Sequence, residues 1–225
     1  MNVHPELSYE APNRGVRNAA ASLSDGGIVV LVNDSGRQTT GALLLAAESV
    51  TARRIAFAVR HTTGILCAPM AEEYLRALDL RSEDSVTVSV DHVETEAGAS
   101  AADRAATFRA LADPTTTPGD LRRRGHVFPV EGVRGGVLKR ATYADAAIEL
   151  LEMAGQRPVG VTAELVAQDG SLMNGVELER FAESRGMVLL TISELQRHRF
   201  VLGQRGTGVA GVMFGACTHS LTRAV

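Results

Sequence analysis

Residues 27–32, Gly27-Ile28-Val29-Val30-Leu31-Val32, are apolar without a break, and the segment from Ala42 to Ala47 is apolar again. A strand covered on both faces reads as such a run, whereas a half-wet strand alternates. Two runs so close together call for a buried sheet with helices over it. Asn33-Asp34-Ser35-Gly36 between them is turn-forming. The connecting loop therefore lies where two buried segments end, a place where loop side chains can reach a common site.

The same reading continues along the chain. Residues 51–61 fit a helix, 65–68 a short strand ended by Pro69, and 70–78 a helix. Residues 86–91 alternate at period two, as a strand with one wet face does. Ser100-Ala101-Ala102-Asp103 is a helix start, a serine cap with an acid three residues on, and that helix runs to about Ala112. Residues 114–118 read as a turn. Helices are expected over 143–154 and 176–185, strands over 159–166 and 187–192, and Ser193 is expected to cap a last short helix. The fold class is a mixed α/β domain, a single compact unit over 1–202, followed by a loose Gly-rich tail over 203–225.

With 225 residues, 45% of them hydrophobic, the chain can bury the core of one such domain. The net charge of −3 gives no field that would gather nucleic acid. Cys67 and Cys217 form neither a metal cluster nor a disulfide framework. No apolar run reaches membrane-spanning length and no cleavable leader opens the chain, so a cytoplasmic protein is expected, with no membrane or nucleic-acid partner.

Several segments occur together in a telling order. They are Ser100-Ala101-Ala102-Asp103-Arg104, Arg109-Ala110-Leu111-Ala112-Asp113-Pro114, Gly125-His126-Val127-Phe128-Pro129, Gly135-Gly136-Val137-Leu138, Pro158-Val159-Gly160-Val161 and Glu164-Leu165-Val166. Through them the chain resembles the 3,4-dihydroxy-2-butanone-4-phosphate synthases over roughly residues 14–200. The resemblance implies a compact α/β fold and a homodimer with active sites at the subunit interface. It also implies a reaction in which ribulose 5-phosphate is rearranged and C4 leaves as formate. That chemistry needs a general base and a divalent ion, for which hard oxygen ligands suit magnesium.

Residue by residue, the resemblance makes His126 an acid or base, Asp103 a contact to substrate hydroxyls and Glu164 a proton-transfer acid. Cys67 falls beside the site. Arg37 and Arg140 could hold an anionic group, and His61 lies in a segment that lines the family's site. Each has a plainer role open to it: a structural histidine, a capping acid, a small buried thiol, a surface arginine. Glu164 on a buried strand is costly unless paired or functional.

The departures are local. The family's acidic loop becomes Asn33-Asp34-Ser35-Gly36-Arg37-Gln38-Thr39-Thr40-Gly41-Ala42, and of its acids only Asp34 remains. Gln38 stands at the metal-binding glutamate and Ala42 at an aspartate of proton transfer. Thr142-Tyr143-Ala144-Asp145-Ala146 replaces a Gly-His-Thr-Glu-Ala segment, so Tyr143 stands where the second metal ligand would be. Gln38, Thr40 and Tyr143 could instead hydrogen-bond a substrate, and Asp34 alone is a turn former or a contact. No metal or other cofactor is therefore expected. The leading reading is a diverged, metal-independent acid–base enzyme on a small oxygenated or anionic substrate. The alternatives are a genuine 3,4-dihydroxy-2-butanone-4-phosphate synthase and a non-catalytic metabolite-binding or regulatory paralogue.

Overall fold

The computed structural model describes residues 11–36, 38–80 and 88–210, with side chains described for 14–36, 38–80 and 88–203. In chain order the elements are α1 (Ala11–Ser24), β1 (Val29–Asn33), β2 (Thr40–Ala46), α2 (Ala52–His61), β3 (Leu66–Met70) and α3 (Glu72–Ala77). β4 (Val90–His92), α4 (Ala101–Ala112), a 3-10 turn (Pro118–Asp120), β5 (Leu121–Arg123) and β6 (Val127–Glu131) follow. The chain continues with α5 (Gly136–Lys139), α6 (Tyr143–Met153), β7 (Gly160–Glu164), α7 (Gly175–Glu183), β8 (Val188–Thr191) and α8 (Ile192–Ala210).

The strands make one mixed sheet in the order β5-β4-β6-β3-β7-β2-β1-β8. β1 explains its own unbroken apolar run. Val30 and Val32 enter a cluster with Ile55, Phe108 and Leu178, under α2, α4 and α7. Val29 and Leu31 enter a second cluster with Val16, Leu150 and Leu195, under α1, α6 and α8. Successive side chains point to opposite faces, and helices cover both, so the four buried positions Val29 to Val32 are all apolar and the polar Asn33 comes only at the partly exposed end. The expected α/β class and its helix-covered sheet are both observed.

Several elements differ from expectation. α1 was not legible, because its core side is carried by only Val16, Ala19 and Leu23, all buried, among small residues. Pro69 does not end β3, which runs to Met70. β3 pairs with β7 at Cys67↔Thr162, and Met70 bridges Val159 just before β7, so the proline falls between the two bridges. The helix expected from Met70 begins only at Glu72. β5, β6 and α5 are further elements in the segment around Gly125 and Gly136. Part of the strand expected over 86–91, the connection over 81–85 and Cys217 fall outside the described residues.

The last helix is neither short nor capped by Ser193. Thr191 caps it: its Oγ1 accepts the Glu194 N–H at 3.1 Å, and the Glu194 carboxylate accepts the Thr191 N–H at 2.9 Å, a reciprocal capping box. α8 crosses residue 203, where the tail was expected to start, and continues to Ala210. Residues 211–225 lie outside the description.

Candidate active site

β2, β3, β6 and β7 with the start of α6 enclose a cleft of about 400 Å³ lined by Ala42, Cys67, Arg140, Tyr143, Thr162 and Glu164, among others. Ala42 and Glu164 are register partners across β2 and β7. Ala42 thus sits beside the Glu164 carboxylate, the one acid among the described residues that line the cleft. Gly41 next to it is dictated by packing, since a Cβ there would lie 2.4 Å from the Leu178 side chain.

Tyr143 is the first residue of α6, whose cap is Thr142. Its hydroxyl lies 2.7 Å from Thr40 Oγ1, which bonds the start of β2 to the start of α6. Burial is the main cause that pushes this phenol up to about 12. The nearby Glu164 charge adds to the shift, while hydrogen bonds from Thr40 and from the backbone of Asn33 oppose it. The phenol stays neutral at any physiological pH. Burial also pushes the Cys67 thiol up, with Glu164 again contributing, so Cys67 is a poor thiolate.

Arg140 is pinned rather than free. Its Nε donates to Asp145 at 2.7 Å, and its terminal nitrogen donates to the Glu131 carbonyl at 2.8 Å. Asp145 is fully buried, and it also accepts the Thr142 hydroxyl at 2.6 Å and the Val133 N–H at 2.8 Å. This acid organises the cleft wall and was missed in the sequence, although Thr142-Tyr143-Ala144-Asp145 has the spacing of a capped helix start. A second, more polar cleft behind this wall holds Glu149 and Arg199, whose charged atoms lie 3.1 Å apart. Burial raises the Glu149 carboxyl, and the pair packs α6 against α8.

His126 precedes β6. Phe128 is in register with Cys67 and Cys67 with Thr162, so stepping back two residues in β6 and on two in β7 puts His126 and Glu164 on one sheet face. Two strand spacings separate them, about 10 Å of backbone. His126 does not line the 400 Å³ cleft but stands at its open side. Its Nδ1 lies 2.8 Å from Asp91 Oδ2, and its backbone N–H donates to Asp91 Oδ1 at 2.9 Å. Asp91 is 5% exposed. It holds the ring by Nδ1 and turns Nε2 outward. Two glycines make room: a Cβ at Gly98 would lie 1.9 Å from Asp91 Oδ2, and one at Gly125 would lie 2.1 Å from the Val90 carbonyl carbon. Asp91 was read only as the end of a strand, because nothing local marks an acid that serves a residue 35 positions away.

The other expected residues scatter. Asp103 is half-buried in the first turn of α4, where its backbone N–H donates to the capping Ser100 Oγ at 3.1 Å. Asp34 binds the backbone N–H of Ser193 at 3.2 Å and also its hydroxyl, which ties the loop to α8 and away from the cleft. His61 packs between the rings of Phe57 and Phe181 at 4.6 and 5.5 Å, partly buried and outside the lining of the cleft. Gln38 is exposed, and Arg37 lies outside the described residues.

Comparison with known proteins agrees with this architecture. Residues 17–198 match the family model for 3,4-dihydroxy-2-butanone 4-phosphate synthase. The riboflavin biosynthesis protein RibBA of Salinispora arenicola is 44% identical over 194 residues, which are 82% of this chain and 46% of that protein. The chain thus spans about half the length of the curated RibBA relatives it matches. The 3,4-dihydroxy-2-butanone 4-phosphate synthase of Desulfovibrio desulfuricans is 34% identical over 90% of this chain and 95% of its own. The crystal structure of the Candida albicans synthase superposes with a TM-score of 0.78 at 34% identity, covering 81% of this chain and 96% of that one. A synthase solved in complex with two magnesium ions gives 0.76 at 37% identity, covering 81% and 95%. The chain belongs to the 3,4-dihydroxy-2-butanone 4-phosphate synthase family.

Proposed function

We propose that the chain is a lyase-type enzyme that takes a small phosphorylated ketose of the ribulose 5-phosphate class into the β2–β7 cleft. The reading best supported by the comparisons is the family's own reaction: ribulose 5-phosphate gives 3,4-dihydroxy-2-butanone 4-phosphate and formate, in riboflavin biosynthesis. The observation that carries it is the match to the stand-alone Desulfovibrio synthase over nearly the whole of both chains. In this reading Glu164 and His126 move protons, His126 through Nε2 while Asp91 steadies Nδ1. Arg140, fixed by Asp145, presents charge to the phosphate.

A second reading, a repurposed and metal-independent site, is favoured by the donor set. The residues in place do not fit magnesium well. Gln38 and Tyr143 offer neutral groups where the resemblance calls for a glutamate and a histidine. Among the described residues, no group of three or more His, Cys, Asp or Glu could hold a metal. A neutral phenol and one carboxylate suit enediol chemistry on a related carbonyl compound.

A homodimer is part of the proposal. Ile65 and Phe128 are 57% and 41% exposed beside Cys67 on the open face of the sheet. A second copy covering this face would complete the site and bury them. No described helix is long and apolar enough to cross a membrane. One assay separates the readings: purified protein, ribulose 5-phosphate, magnesium or chelator, formate followed with time. Magnesium-dependent formate establishes the family reaction. Its absence from a folded protein leaves the repurposed site.

A further inference from the structure

The cleft holds an arrangement that the loss of acids does not by itself explain. Tyr143 Oη meets Thr40 Oγ1 at 2.7 Å, and Asn33's backbone also bonds the same oxygen. Either hydroxyl could donate in the Thr40–Tyr143 contact. Where Thr40 donates to the phenol oxygen, the tyrosine's own proton is left for a group bound in the cleft that Tyr143 lines. Glu164 lines the same cleft and is close enough to act on the phenol electrostatically. The remaining wall is largely apolar, with Ala42, Ile65, Pro69 and Val130, so a hydrogen bond or a charge placed there is poorly screened.

We propose that Tyr143 replaces a metal ion in this cleft: its hydroxyl, set by Thr40, donates to the carbonyl oxygen of a small α-hydroxyketone while Glu164 removes the adjacent carbon-bound proton. The C–H bond breaks and its proton passes to the Glu164 carboxylate. The C–H electron pair becomes the carbon–carbon double bond of an enediol, and the carbonyl π pair moves onto the oxygen. That oxygen accepts the Tyr143 hydrogen bond as its charge grows. Return of the proton, or of a deuteron from solvent, reverses the step, so no oxidant or other reactant is needed. A neutral phenol suits this role, because a phenolate would have no proton to donate and would repel the developing charge.

The inference rests on the second reading above, and its test is independent of formate release. Exchange of the carbon-bound hydrogen next to the carbonyl of ribulose 5-phosphate is followed by proton NMR in heavy water, with chelator and again with magnesium. The expected result is exchange in chelator at a rate that magnesium leaves unchanged. Tyr143→Phe should slow it about 100-fold, as loss of one transition-state donor does, and Glu164→Gln should abolish it. Calorimetric titration with magnesium alone should show no saturable binding. Should Tyr143→Phe fail to fold, Thr40→Val reads the same point, and a rate about tenfold lower is expected from a phenol that has lost its orienting partner.

Exchange that appears only with magnesium, or saturable magnesium binding, overturns the inference and leaves the family reaction standing. No exchange in either condition, or a folded Tyr143→Phe that exchanges at the wild-type rate, overturns it as well.

Discussion

The two sides of the cleft have been treated differently. On the His126 side the supporting structure is close-fitted: the histidine, the buried Asp91 that grips it twice, and two glycines whose hydrogens touch the acid and the neighbouring backbone. On the Tyr143 side the framework is equally firm, with the Asp145 carboxylate accepting four hydrogen bonds from Arg140, Thr142 and Val133, and what it presents is a neutral phenol beside the Arg140 charge. The loop that leads into β2 is anchored by Asp34 to α8 and closed by Thr40 on Tyr143. The contrast teaches that scaffold and reagents are separable. Side chains that meet only each other must keep their shapes, whereas those that meet substrate can change together without disturbing the core.

The largest effect should come from the fitted side. Gly125→Ala puts a methyl 2.1 Å from the Val90 carbonyl carbon and 2.3 Å from the Asp91 nitrogen, backbone atoms that cannot turn aside. We expect a loss of about 3 kcal/mol or more in denaturant unfolding. Gly155→Ala is the control. It meets nothing within 4 Å and suffers only its φ of +68°, a cost of about 1 kcal/mol. Equal losses at the two positions would mean that the fit around Asp91 has no special weight.

Asp91→Asn comes next and separates orientation from packing. The amide keeps the volume, and its oxygen can still accept the His126 N–H, but the charge that fixes the ring's tautomer is gone. If His126 moves a proton, turnover falls about 100-fold with a changed pH profile, while the thermal midpoint moves little. Unchanged turnover would make the pair a structural clasp.

The same division decides what the sequence could tell. β1 and β2 were legible because burial on both faces leaves a run that nothing else explains, and α4 because Ser100 and Asp103 form a local cap. The site was legible only through the resemblance. It pointed to His126 and Glu164, which the fold sets on one sheet face, and to Tyr143 and Arg140, which line the cleft with Glu164. It also pointed to His61 and Asp34, which the fold uses elsewhere. Asp91 escaped because its partner comes from another element 35 positions away, whereas Asp145 has the local spacing of a cap, and what the sequence did not show is that the same acid also fixes Arg140 and the Val133 backbone. α1 escaped because alanines and a glycine pack closely without an apolar stripe. A Cβ on Gly15 would already lie 3.3 Å from Leu190.

A smaller effect is expected on the Tyr143 side at high pH. Burial raises the Tyr143 phenol from its ordinary 10 to about 12, so the folded state keeps a proton that the unfolded chain gives up. The stability from this group is complete below pH 10 and is lost as pH rises between the two values. Tyrosinate absorbance, wild type minus Tyr143→Phe, should show one late-titrating phenol, and the variant should lose less stability over that window. A difference spectrum that titrates near 10 would mean the phenol is wet and the cleft open.

The smallest effect should be at His61, and it tests the boundary of the site. Burial first, then the charges of Arg185 and Arg60, lower its pKa below the ordinary 6.5. The ring lies between Phe57 and Phe181, and the Arg185 guanidinium lies 4.0 Å from the Phe181 ring centre. A lowered histidine pKa means the unfolded chain binds the proton first. The contribution is therefore whole above pH 6.5 and is lost as pH falls through the folded value. His61→Phe keeps a ring in the stack, which is worth about 1 kcal/mol per aromatic contact, and removes the titration. Stability should then fall less steeply below pH 6.5 than in the wild type, and turnover should not change. A tenfold loss of turnover with stability intact would move His61 into the active site, where the resemblance had put it, and the cleft would have to extend past α2 to reach it.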